Sequence, residues 1–188
     1  TAAVFRYDVE TRTLGELVHG DDTYDDAGVV WDEPRRKVVA VLTNADRPRL
    51  HWLDADAEGF QRQIDASLPD TLNRVMPAGP DVSRRLIFAS SDRDPGVYYL
   101  FDRTSRKLEE LAVLKPGIEP EQMAAMKPVM FKARDGLAIH AYLTLPVGRE
   151  AKALPLVIHP HGGPFGIRDS WGFNPEVQFY ANRGYAVL

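Results

Sequence analysis

The amino-acid sequence predicts a mixed fold, in which part of a β-propeller is followed by the start of an α/β domain. Two observations carry this prediction. Strand-like segments recur at a nearly constant interval through residues 1–115, and after residue 128 the pattern changes to strand, loop, helix and strand. The second pattern is typical of a parallel sheet covered by helices. Residues 116–127 separate the two regions as a linker.

Composition excludes several classes of protein. Hydrophobic residues make up 44% and charged residues 27% of the 188 positions, which excludes a disordered chain. No apolar run approaches the ~20 residues of a membrane span, so no membrane partner is expected. The net charge of −4 gives no support to nucleic-acid binding. The chain has no cysteine, which excludes disulfides and thiolate catalysis and fits a cytoplasmic location, with the periplasm left open.

The first region contains one repeat, visible in two registers. A β-prone run ends in aspartate at Asp8, Asp54 and Asp102, at intervals of 46 and 48 residues. Two other segments, beginning at Asp32 and Asp81, lead through paired arginines into a strand and lie 49 residues apart. Four short strands in about 40–50 residues is the spacing of propeller blades. About two blades fit before residue 115, and a β-sandwich with coincidental spacing is the alternative.

Two polar segments of this region are interpreted as turns. Ala55–Gly59 follows the second β-prone run, and its polar residues predict a connection between strands. Ser91–Asp94 has the acidic residues of a calcium loop, but no glycine and glutamate follow at the required spacing. We therefore interpret Ser91–Asp94 as a solvated turn and expect no metal there.

The linker contains the strongest structure-breaking residues of the chain. Lys115–Pro120 holds two prolines and a glycine, and Glu121–Met126 is predicted to form a short helix. Beyond it, Asp135-Gly136 between two β-prone runs predicts a hairpin. These features place a domain boundary between the repeat and the second region.

The second region then alternates strand and helix. The apolar run Leu154–His159 suits a buried central strand. Asn174-Pro175 is a cap and first-turn pair that predicts a helix, and Gly184 stands where a helix ends. Residues Tyr185–Leu188 begin another strand.

A glycine-rich segment, His159–Pro164, lies between the predicted buried strand and the helix. A metal pair of His159 and His161 is one interpretation, weakened because Asp169 is the only nearby carboxylate in this part of the sequence. A phosphate cradle is weaker still, because no Gly-Lys-Ser/Thr follows. A tight turn that needs glycine only for its geometry is a third interpretation.

The fourth interpretation is an oxyanion loop. In α/β-hydrolases, a loop of the His-Gly-Gly type after the third strand supplies one backbone donor to the oxyanion. Glycine suits that role because its N–H can face a cavity with no side chain in the way.

Six segments between residues 134 and 187 carry a resemblance to known proteins. They are Arg134-Asp135-Gly136, Tyr142–Pro146, Leu154–Val157, His161–Pro164, Trp171 and Arg183–Val187. Together they resemble the opening of the catalytic domain of the prolyl oligopeptidase family, in its branch of acylaminoacyl-peptidases and bacterial dipeptidyl peptidases. The resemblance implies a β-propeller followed by an α/β-hydrolase domain, here begun by residues 128–188. It also implies a Ser-Asp-His peptidase that cleaves short peptides without a cofactor.

The resemblance carries over to few site residues. It implies Gly163 as the first choice for the backbone oxyanion donor and Gly162 as the second. His161 stands where other branches of the family have a tyrosine that helps to hold the oxyanion. Phe165 and Trp171 are expected either to line the substrate cavity or to pack in the core.

One departure from the family pattern limits what this segment can do. No Gly-x-Ser-x-Gly occurs, and Ser170 is flanked by Arg168 and Gly172, so no nucleophile is identified. We expect this segment to be an interior piece of a longer protein and inactive by itself. Open strand edges predict that it self-associates as a homo-oligomer or needs the rest of its polypeptide. A non-catalytic propeller-type interaction module and a carboxylesterase are the alternative functions.

Overall fold

The computed structural model describes residues 1–77, 82–163 and 166–188. Strands and two helices alternate along these parts of the chain. The first region contains β1 (Val4–Asp8), β2 (Thr13–His19), β3 (Asp26–Asp32), β4 (Lys37–Thr43), β5 (Arg49–Trp52), α1 (Ala55–Ser67), β6 (Leu72–Val75), β7 (Arg84–Ser90), β8 (Val97–Asp102) and β9 (Lys107–Val113). The second contains β10 (Met126–Lys132), β11 (Ala138–Thr144), β12 (Leu156–Val157), α2 (Pro175–Asn182) and β13 (Ala186–Val187).

The strands of the first region form three antiparallel sheets in chain order. They are the pair β1–β2, the three-stranded sheet β3–β4–β5 and the four-stranded sheet β6–β7–β8–β9. Because each strand pairs with its sequence neighbour, short turns suffice to connect them. The sheet-rich first region is confirmed, whereas no closed barrel or propeller is formed by the described residues.

Helix α1 corrects one prediction of the sequence analysis. The interpretation of Ala55–Gly59 as a turn is wrong, because these residues form the first part of a 13-residue helix. The Asp54 carboxylate caps the helix by accepting a hydrogen bond from the Ala57 N–H at 2.9 Å. Phe60, Ile64 and Leu68 recur at helical spacing on the side that packs against the sheet.

The core of the first region lies between α1 and the sheet β6–β9. Ile64 of the helix and Ile87 of β7 are fully buried, and Phe101 of β8 is 3% exposed. The Phe60 and Phe101 rings lie 5.4 Å apart at an interplanar angle of 58°. Such tilted pairs add to the burial of apolar area, so α1 and this sheet stabilise each other.

The second region is a mixed sheet in the order β10–β11–β13–β12. The predicted hairpin around Asp135-Gly136 is confirmed, with β10 and β11 antiparallel in an unbroken register from Met126↔Thr144 to Lys132↔Ala138. Strands β12 and β13 run parallel, and α2 connects back between them in sequence. A strand, helix and parallel strand confirm the expected α/β pattern. The interpretation of Leu154–His159 as a buried central strand is wrong, because only Leu156–Val157 form β12, which lies at the edge of the sheet with Leu156 54% exposed.

The segment between the regions contains less helix than predicted. A single 3₁₀ turn covers Pro120–Gln122, and strand β10 already begins at Met126. The prediction of a helix over Glu121–Met126 is therefore wrong beyond Gln122. Among the described residues, neither helix is long and apolar enough to cross a membrane.

Candidate active site

The glycine-rich loop leaves the sheet at the carboxyl end of β12. That strand pairs with β13 through Leu156↔Ala186 and Val157↔Val187, and the His159 N–H then donates to the Leu188 carbonyl at 2.7 Å. In open α/β sheets, ligands bind in the crevice outside the carboxyl ends of the strands. The loop therefore occupies the edge of the sheet where the fold is suited to a site.

The loop presents its backbone to solvent. His161, Gly162 and Gly163 are all exposed. Within the parts of the chain that the structure describes, the N–H groups of Gly162 and Gly163 have no hydrogen-bond acceptor. Phe165, which the sequence analysis assigned to the substrate cavity, lies outside the described residues.

His161 is held against its own loop. Its Nδ1 lies 2.6 Å from the Gly162 carbonyl oxygen, which can only accept a hydrogen bond. Nδ1 must therefore carry the proton, and in the neutral ring Nε2 is then an acceptor. With this contact made, His161 can donate to an oxyanion only when the imidazole is doubly protonated.

His159 ties the beginning of the loop to the first turn of α2. Its Nε2 lies 2.8 Å from Glu176 Oε2. The carboxylate beside His159 is therefore Glu176 and not the predicted Asp169, because the place of Glu176 in the helix brings it back to the strand end. Across the described ranges, no group of three or more His, Asp or Glu side chains is arranged to hold a metal ion.

Helix α2 starts as its sequence predicts. The Asn174 side chain accepts hydrogen bonds from the N–H groups of Glu176 at 3.0 Å and Val177 at 3.1 Å. Pro175 occupies the first turn, where its missing N–H costs nothing. The cap fixes the helix start, and with it the position of Glu176 beside His159.

Trp171 lies at the junction of the two regions and is only 6% exposed. Its indole Nε1–H donates to the Met126 carbonyl at 2.9 Å, and the Arg47 guanidinium lies 4.2 Å from the ring centroid. The burial shows that Trp171 packs inside the molecule. Its assignment to a substrate cavity stays a prediction.

The turn between β4 and β5 forms a second contact between the two regions. Asp46 Oδ1 lies 3.2 Å from His140 Nδ1 and 3.9 Å from Arg168 Nη2. The Tyr142 hydroxyl donates to the Asp46 carbonyl at 2.9 Å, and burial raises the pKa of that hydroxyl. Ser170, excluded as an elbow nucleophile, donates weakly to Asn44 Oδ1 at 3.4 Å. The repeat region thus contacts the segment that follows the glycine-rich loop.

A third contact joins α2 to the turn between β7 and β8. Gln178 is buried in α2 and bonds to Ala124 and Asp92. The interpretation of Ser91–Asp94 as a solvated turn is wrong for Ser91 and Asp92, which are 8% exposed. Gln178 was not predicted as a functional residue, because the local sequence does not show that its amide is buried or which groups it meets.

Comparisons with known proteins agree with this geometry. The chain is 33% identical over 197 residues to dipeptidyl aminopeptidase BIII of Pseudoxanthomonas mexicana, a match that covers 100% of the chain and 28% of that protein. A prolyl endopeptidase superposes with a TM-score of 0.65 at 17% identity, over 98% of this chain and 27% of that one. A puromycin hydrolase gives 0.60 at 19% identity, over 98% and 29%. No family model matches the chain.

The chain spans about a quarter of the length of the curated relatives that it matches. The structural likenesses show the shared fold, and the sequence likeness runs along the whole chain. Along its whole length the chain is similar to a segment, about a quarter of the full length, of proteins of the prolyl oligopeptidase family.

Proposed function

We propose that this chain is part of a serine peptidase that hydrolyses short peptides through an acyl-enzyme. In this proposal the segment supplies propeller blades and the oxyanion loop, while the nucleophile lies elsewhere in the parent protein. Similarity to peptidases of the prolyl oligopeptidase family supports the peptidase class. The segment by itself is expected to hydrolyse neither peptides nor activated esters, since an oxyanion loop alone gives only residual catalysis in a complete site.

The sheets of the first region are proposed to be propeller blades. Strands β4 and β7 begin at Lys37 and Arg84, 47 residues apart, in the same position within their sheets. Helix α1 then takes the place of a fourth strand after β5. We assign residues 1–115 to the partial propeller, 116–127 to the linker and 128–188 to the start of the α/β-hydrolase domain.

One observation carries the catalytic part of the proposal. Gly162 and Gly163 are exposed residues just beyond the carboxyl end of a parallel strand, and their N–H groups have no acceptor among the described residues. When a peptide carbonyl is attacked, its oxygen becomes negatively charged, and fixed N–H donors stabilise that charge without reorganising. We assign this role to Gly163 first and Gly162 second.

Substitution of Gly163 in the parent peptidase tests this role. Gly163→Val is expected to lower kcat by about 10²–10³, or roughly 2.7–4 kcal/mol, because a side chain displaces the donor. The Michaelis constant should change little, since the bond strengthens only in the transition state. Turnover and thermal midpoint are measured together for Gly163→Val and Gly162→Ala.

Gly117→Val is the matched control, because Gly117 lies in the exposed linker and an added Cβ meets nothing within 4 Å. Wild-type kcat with a lowered midpoint in Gly163→Val would show that the glycine serves only a structural turn. That result would also leave a non-catalytic module as the better function for this segment.

A further inference from the structure

The amide of Gln178 forms a buried polar contact between three parts of the chain. Its side chain is 6% exposed. The Nε2 group donates to the carbonyls of Ala124 at 2.8 Å and Asp92 at 3.0 Å, and Oε1 accepts the Ala124 N–H at 2.9 Å. Both donors and one acceptor position of the amide are therefore used. No other neutral side chain of this length offers two N–H donors and a carbonyl acceptor.

Asp92 completes the contact from the repeat region. It is 8% exposed, and its Oδ2 accepts the Met126 N–H at 2.7 Å while its carbonyl accepts from Gln178. The Met126 carbonyl in turn accepts the Trp171 indole N–H. The start of β10 is thus held from one side by Asp92 and from the other by Trp171.

These bonds bracket the glycine-rich loop. The segment from residue 159 to 178 is attached at its start by His159 and Glu176, in its middle by Trp171 and Met126, and at its end by Gln178. Glu176 and Gln178 belong to the same helix, so a shift of α2 moves Glu176 and, through it, His159. Among the described residues the loop N–H groups have no acceptor of their own, so the loop is held by these attachments together with the contacts of Arg168 and Ser170 to the repeat region.

We propose that Gln178 and Asp92 are positioning residues, which fix the oxyanion donors of the glycine-rich loop relative to the repeat region. This inference rests on the proposed function. Neither residue touches the substrate; both act through α2 and β10. A misplacement of about 1 Å far from the chemistry can cost about 10²-fold in rate, which is the scale on which such attachments matter.

The test is made in the parent peptidase with Gln178→Met, which keeps the length of the side chain and removes the amide. We expect kcat to fall by about 10- to 100-fold with KM nearly unchanged. Gln122→Met is the matched control, because Gln122 is an exposed glutamine in the linker. Asp92→Asn, which keeps an acceptor for Met126, should retain most of the activity, whereas Asp92→Ala should lose it.

A double-mutant cycle separates positioning from general destabilisation. If Gln178 acts through the loop, Gln178→Met adds little further loss of kcat to Gly163→Val. Independent effects would multiply, and that result overturns the inference. Wild-type kcat in Gln178→Met also overturns the inference, provided that Gly163→Val still lowers kcat. If Gln178→Met does not fold, wild-type kcat in Asp92→Ala has the same meaning. If Gly163→Val itself keeps full kcat, the proposed function fails and this inference falls with it.

Discussion

The sheet β6–β9 and the sheet β10–β13 contain similar apolar residues but bury them differently. In the first, Ile87 and Phe101 face helix α1 and are almost completely buried. In the second, Met130 is 66% exposed, Leu156 54% and Phe131 45%. The difference arises because α1 comes from the sequence just before β6, so the first sheet obtains its cover locally.

Burial in the second region is concentrated around α2 and β13 and at the start of β10. The buried residues lie in the segment before β10, at the end of β11, around Trp171, on one side of α2 and at β13: Ala124, Met126, Thr144, Pro146, Trp171, Val177, Gln178, Ala181, Gly184, Ala186 and Val187. Contacts with Asp92, Asp46 and Arg47 fall in the same zone. The second region therefore combines a small core of its own, where α2 and β11 meet β13, with polar contacts to the repeat region.

The largest expected effect compares the two sheets directly. Ile87→Ala should destabilise the chain by about 2–5 kcal/mol, because it removes a fully buried side chain and leaves a cavity. Leu156→Ala should change the free energy of unfolding by about 0.5 kcal/mol or less, as for most exposed positions. Urea unfolding midpoints at constant m-value measure both. Equal losses would show that Leu156 is covered in solution, as in the predicted self-association.

An intermediate effect is expected at the junction. Trp171→Phe removes the indole N–H and leaves the buried Met126 carbonyl without that donor, which should cost about 1–3 kcal/mol. Trp31→Phe is the control, since the Trp31 indole donates to Glu33 at 2.6 Å but is 45% exposed. Its loss should be smaller because water replaces the partner. If the two variants lose the same free energy of unfolding in chemical denaturation, the hydrogen bond between Trp171 and Met126 does not stabilise the junction.

The smallest effect concerns the cap of α1 and acid stability. Lys37, the Ala57 N–H and Arg35 lower the pKa of Asp54 from 3.8 to about 2. Since the folded pKa is the lower one, Asp54 stabilises the fold above pH 3.8, and that stabilisation is lost as pH falls towards 2. Asp54→Asn should therefore flatten the acid limb of the stability profile.

The control for the acid limb is Asp56→Asn, because the Asp56 side chain is 94% exposed. The free energy of unfolding of both variants and the unmodified chain is measured between pH 5 and pH 2. Identical slopes for Asp54→Asn and the unmodified chain would mean that the cap carboxylate gains nothing from its charged neighbours.

Local patterns in the sequence determined much of the fold. The hairpin around Asp135-Gly136, the helix after Asn174-Pro175 and the strand after it form where turn and cap residues place them, whereas the strand before the helix is limited to Leu156–Val157. Helix α1 was missed although its cap, Asp54, and its apolar spacing are visible in the sequence. The strand repeat on either side of these residues favoured the prediction of a turn. The residues form a helix because their helix propensity and the burial of their apolar side chains against β6–β9 outweigh that pattern.

The sequence by itself determined the repeat, the α/β pattern and the glycine-rich loop, because each depends on residues close together in the chain. The tertiary structure decided which polar side chains hold that loop. Gln178 meets Asp92 across 86 residues, Trp171 meets Met126 across 45, and His140 meets Asp46 across 94. A buried polar group must find a partner, but local spacing does not specify which one. That choice is made only when the two regions pack together.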